Sequence, residues 1–125
     1  MGYIDIEDAL QGLLNESGFD ACAKPLPKDF ACPHVLVDML NAWDENEAQA
    51  VYSVDFDCRA DTYAEAAQLQ LAVSDAVRGL VGSELGGKPV YAIDNLRLQR
   101  AQPDQSHENV ILATVSAELR ARVAD

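Results

Sequence analysis

Positive charge is scarce in this chain of 125 residues: nine Lys and Arg stand against 21 Asp and Glu, a formal net charge of −12. Phosphate binding needs a basic surface, so this balance disfavours a general DNA or RNA binder. It equally disfavours docking on anionic lipid. No apolar run approaches the ~18 residues of a membrane span. The opening residues, Met1 to Asp8, are acidic and lack the basic start of a signal peptide, so a chain made in the cytoplasm is expected. Cysteine is sparse as well. Cys22, Cys32 and Cys58 make an odd set, which argues against a disulfide framework. The glycines of the string GSELGG at residues 82–87 form neither a phosphate loop nor a dinucleotide fingerprint.

What is present is ordinary for a folded domain. The apolar fraction is 49% and the charged fraction 24%, values that exclude a disordered chain. The length predicts a single domain over residues 1–125. The acids are unevenly spread, with twelve acids and three bases in residues 1–60 against nine and six in residues 61–125. No linker separates the halves, so this reads as an acidic face.

Residues 5–17 read as a helix, capped by Asp5 and stopped by Gly18, with Ile6, Leu10, Leu13 and Leu14 on one stripe. Residues 19–23 form a short strand candidate, followed by a proline-broken loop at 24–28. Residues 34–43 and 49–58 read as a hairpin around a polar turn at 44–47. Its pairing is expected to set Val35, Val37 and Met39 opposite Phe56, Val54 and Tyr52 on the core face. The second face of the first strand then carries Leu36, Asp38, Leu40 and Ala42. Three of these are apolar, so this face is a candidate subunit interface. Residues 62–81 form the strongest helix, with a Thr62–Glu65 capping box and a stop at Gly82. Gly86 and Gly87 make a turn. A longer hairpin follows over 90–99 and 109–123, with Leu96 expected beside Ile111 and Ala92 beside Val115. Its tip, a polar projecting hairpin near 99–108, is expected to be mobile and to act as an assembly arm through Arg100, Gln102, Asp104 and His107. The order is α-β-β-β-α-β-β. It predicts a two-layer α+β domain with a largely antiparallel sheet and both helices on one face.

The residues offer little chemistry. Cys22, Cys32 and His34 match no closed zinc spacing and lack a fourth ligand. A Cys–His nucleophile built on His34 or His107 has no flanking motif, and Cys58 falls on the core face, where a thiol is inert. Asp55 and Asp57 share a strand face, with Asp38 as a cross-strand neighbour. Three carboxylates there would suit a hard cation or acid–base work, but alternation alone already predicts a wet acidic strand surface. No catalytic residue, cofactor or metal is predicted.

Two stretches carry a resemblance. Residues 4–14, IDIEDALQGLL, and residues 51–67, VYSVDFDCRADTYAEAA, together with the late hairpin, resemble the tail terminator (tail completion) proteins of tailed phages. That family overlaps with small proteins called phage minor capsid or minor tail proteins. The resemblance implies a non-enzymatic α+β subunit of a homo-oligomeric ring, commonly of six copies. Such a ring caps the tail tube and joins it to the head connector, at the head–tail junction of the virion. It also implies that DNA only passes through the pore, without specific binding, and that no membrane is involved. Two other readings remain: a non-catalytic cytoplasmic α+β binding module, and a metal-dependent enzyme using Asp38, Asp55 and Asp57.

Overall fold

Helix α1 (Ile6–Glu16) begins where Asp5 supplies a cap, its Oδ1 accepting the N–H of Asp8 at 3.2 Å. Ile6, Leu10 and Leu14 then fall on one buried stripe. These are features of a computed structural model that describes residues 3–123. The chain continues through β1 (Ala21–Ala23), β2 (His34–Asp44), β3 (Gln49–Ala60), α2 (Tyr63–Arg78), β4 (Glu84–Leu85), β5 (Lys88–Leu98), β6 (Gln102–Pro103) and β7 (Ile111–Arg122). The strands lie in the order β1-β2-β3-β7-β5-β4, with β6 paired to β7. Every pairing is antiparallel except that of β1 with β2. α1 packs over β1, β2 and β4, and α2 over β3, β7 and β5. Tyr52, Phe56 and Leu119 from the strands and Leu10, Leu14 and Val73 from the helices close the core between the layers. This is the expected two-layer α+β arrangement, with β4 and β6 as short additions to the expected order.

Helix α2 carries its expected cap: Thr62 Oγ1 accepts the N–H of Glu65 at 3.1 Å and donates to the Glu65 carboxylate. It ends at Arg78, earlier than the expected stop at Gly82. Gly79 caps it, donating to the Asp75 and Val77 carbonyls, and the tighter bonds from Leu80 to Val77 and from Ser83 to Leu80 replace the helical ladder, while the Gly82 N–H donates to the Val90 carbonyl at 3.0 Å. Gly82 (φ 87°) turns the chain into β4, and Gly86 and Gly87 (φ 58° and 80°) make the expected tight turn into β5.

Both hairpins depart from their expected registers. In the first, Val35 pairs with Cys58, Val37 with Phe56 and Met39 with Val54. The two-residue offset keeps parity, so the inward set is unchanged. A bulge at Leu40 then inserts one residue. Beyond it Asn41 faces Ser53, Ala42 faces Tyr52 and Trp43 faces Val51. The bulge reverses the alternation, which turns Ala42 onto the core and sends Trp43 to the other face. In the second hairpin Leu98 lies opposite Val115, Ile93 opposite Leu119 and Ala92 opposite Arg120. Leu96, expected beside Ile111, is displaced because Pro103 takes that place and Gln102 pairs with Leu112. β5 absorbs the difference in two register shifts, between Val90 and Ala92 and between Asp94 and Arg97, with Asn95 in the left-handed region (φ 51°).

Candidate functional site

Period-two alternation carries one set of side chains to the helix-free face of the sheet. Its centre is acidic. Asp38 stands directly opposite Asp55, and Asp57 opposite Leu36. Like charges paired across strands repel, and the chain offsets this with donors. Lys24 Nζ lies 3.1 Å from Asp38, Ser116 Oγ donates to Asp55 at 2.7 Å, and Thr114 Oγ1 donates to Asp57 at 3.0 Å. Gln99 Nε2 completes the chain of bonds by donating to Ser116 Oγ at 3.0 Å. Burial pushes the Asp57 carboxyl above its usual range; the Thr114 hydrogen bond and Arg59 oppose this, and Asp55 and Asp38 add to it. Each of the three acids therefore has its own donor, and they are strung along the strands. Among the described residues no three His, Cys, Asp or Glu side chains converge so as to hold a metal ion.

One end of this face is sealed by the chain itself. Arg59 Nε donates to Asp104 Oδ2 at 2.8 Å, and both side chains are buried. His107 Nδ1 lies 2.9 Å from the same oxygen, and the Ser106 N–H donates to Asp104 Oδ1 at 3.0 Å. Burial alone would raise the Asp104 carboxyl, but the bonds from Arg59, Ser106 and His107 together hold it below its usual range. Phe30 packs its ring between His107, edge-on at 5.0 Å, and His34 at 5.7 Å. The segment expected to project as a free arm is thus pinned to the sheet at Asp104, which is only 9% exposed, and His107 is half-buried. Arg100 and Gln102 stay exposed. The expectation failed because it weighed apolar anchors only; a buried ion pair does the anchoring.

The other end is open. Leu40, in the bulge, is 57% exposed, and Trp43 is 39% exposed. Of the four residues expected to share an interface, Leu40 alone is widely exposed. Leu36 is covered by its own chain at 5% exposure, Asp38 is half-buried beside Lys24, and Ala42 packs on the core. Val51 is buried opposite Trp43 and Arg120, and Arg120 binds both Glu45 and Asp94.

The sequence pairing of a cysteine with His34 is met in space: Cys22 Sγ lies 3.1 Å from His34 Nε2, and Asp20 lies 3.7 Å from His34 Nδ1. Burial raises the Cys22 thiol, Asp20 raises it further, and Arg59 acts the other way. A thiol held protonated is a weak nucleophile. Burial pushes Cys58 up to about 12. Nothing in the sequence pointed to the Arg59–Asp104 pair, whose members are 45 residues apart. Gln70, which donates from α2 to the carbonyls of Gln99 and Thr114, was equally silent. No helix among the described residues is long and apolar enough to cross a membrane.

No protein-family model matches the chain. No curated protein matches it in sequence. A solved structure does share its fold: a chain of the virion of a native gene transfer agent particle superposes with a TM-score of 0.54 at 19% identity. The match covers 94% of this chain and 98% of that one. Likeness at this identity establishes the shared fold.

Proposed function

We propose that this chain is a structural, non-enzymatic protein of a phage-like virion, and within that class a ring-forming tail terminator at the head–tail junction. The observation that carries the reading is the fold shared, end to end, with a chain of a gene transfer agent virion. Three features of the molecule support it. In the Cys22–His34 pair, burial and Asp20 raise the thiol, which disfavours the thiolate that a nucleophile needs. The three face acids are each engaged by a donor. The open end of the bare face offers Leu40 and Trp43 to a neighbour. In this reading Leu40, bordered by Asp38, belongs to the subunit contact, while Leu36 and Ala42 support it from beneath. Arg100 and Gln102 are the parts of the pinned arm left free to touch another subunit, the tail tube or the head connector. The net charge of −12 suits a ring that DNA slides past without sticking.

The reading is tested by gold-labelled antibody against this chain on particles purified from a producing host. Label confined to one point between head and tail is the expected result. Particles that form with normal tails when the gene is deleted would rule the role out.

A further inference from the structure

The sheet has two open edges. β1 pairs with β2 only at Val35–Val37, and β4 pairs with β5 only at Lys88 and Pro89. An exposed strand edge is a template for pairing with another chain, and natural sheets blunt it. The β5 edge is blunted by irregularity. Its two register shifts and the left-handed Asn95 (φ 51°) break any straight run of outward groups. β2 is regular up to the bulge at Leu40, so its edge needs another device.

The outward N–H groups of β2 follow one another at period two. That of Val35 donates to the Asp20 carbonyl at 2.9 Å, and β1 lies alongside as far as Val37. β1 ends at Ala23, and Pro25 and Pro27, which lack N–H donors, follow it. The next N–H on that side is that of Met39, and among the described residues no strand stands opposite it. It donates instead to Glu7 Oε2 at 2.8 Å. Glu7 sits half-buried in the first turn of α1, 32 residues away in sequence. One carboxylate oxygen thus stands where the next carbonyl of a longer β1 would be. A hydrogen bond to an ionised carboxylate is stronger than one to a neutral carbonyl, so an incoming strand offers Met39 a weaker acceptor than the one it has.

We propose that Glu7 is an edge guard: its carboxylate occupies the outward Met39 N–H and keeps β2 from pairing edge to edge with β2 of a second copy. Two β2 edges pair antiparallel with the same surface on both copies, so this contact needs no second, complementary patch. The guard does not depend on the ring reading above.

Amide hydrogen exchange and sedimentation velocity of the full chain test it. In dilute Glu7→Ala the Met39 amide should exchange about tenfold faster than in the parent. It should regain protection as concentration rises, while a species of twice the parent's mass appears. Glu7→Asp keeps the charge of the first turn and draws the oxygen back by one methylene; it should show the same changes in smaller measure, and it carries the test if thermal unfolding shows that Glu7→Ala does not fold. Glu7→Gln retains an acceptor oxygen and should stay close to the parent, as should Asp8→Ala on the same helical turn. Unchanged exchange at Met39 when Glu7 is replaced overturns the proposal, and so does the absence of the doubled species up to millimolar concentration. A doubled species as abundant in Asp8→Ala as in Glu7→Ala would trace the effect to a loosened α1 and overturn the guard as well.

Discussion

The two ends of the helix-free sheet face differ in what covers them. At one end the chain closes on itself: Arg59 and His107 both bind Asp104, with Phe30 packed edge-on to His107. At the other, Leu40 stands in solvent on a bulge beside an exposed Trp43. The sealed end uses polar contacts between residues distant in sequence, and these stabilise the fold. The open end covers Val51 beneath Trp43 and Arg120 but leaves Leu40 in solvent, and that exposed apolar surface suits a neighbouring molecule. Substitutions should therefore separate cleanly, with stability lost at one end and association lost at the other.

The largest effect is expected at Arg59. Arg59→Ala leaves Asp104 buried without its main partner, a loss of about 3–5 kcal/mol of stability. Denaturant unfolding measures it, and a change under about 1 kcal/mol would show that the end is not sealed by this pair.

A pH series sharpens the contrast between two carboxylates of the same face. Asp104 is held below its usual range in the folded chain, so its contribution is present above about pH 4 and fades as pH falls through that range. Asp57 is raised, so the folded state holds its proton more tightly, and stability falls as pH climbs from about 4 through the raised value. Asp104→Asn should therefore destabilise the chain at pH 7, with the deficit shrinking toward acid. Asp57→Asn should be neutral or stabilising at pH 7, and its difference from the parent should close near pH 4. Deficits of the same sign and the same pH trend for both would contradict the assignment.

How far the sequence could be read follows the same division. Helix caps at Asp5 and Thr62 and the apolar stripes are local patterns, and they gave the helices and the α+β class directly. The inward set of β2 survived a two-residue error in register because parity is robust to even shifts. The bulge at Leu40 was not legible, since one inserted residue leaves no compositional mark, and it moved Ala42 to the core and Trp43 outward. The second hairpin was misaligned because the pairing of Gln102 and Pro103 with β7 and the anchoring of Asp104 by Arg59 are decided by tertiary contacts. Of the candidate interface, the sequence located the strand and missed which residues its face presents.

At the open end, Leu40→Asp should change folding stability by no more than about 0.5 kcal/mol while reducing self-association measured by light scattering. A comparable loss of stability would place Leu40 in the fold's own packing. The smallest effect is expected at Cys22. With its thiol raised by burial, alkylation by iodoacetamide at pH 7 should be slower than that of a free thiol, and Cys22→Ser should leave association unchanged. Rapid alkylation would mark an activated cysteine and revive an enzymatic reading.

The most direct test of the central claim is the mass of the assembled chain at sedimentation equilibrium. A ring subunit of 13.6 kDa predicts one discrete closed multiple of that mass, with no open-ended series. A single species of 13.6 kDa that persists to millimolar concentration would contradict the account.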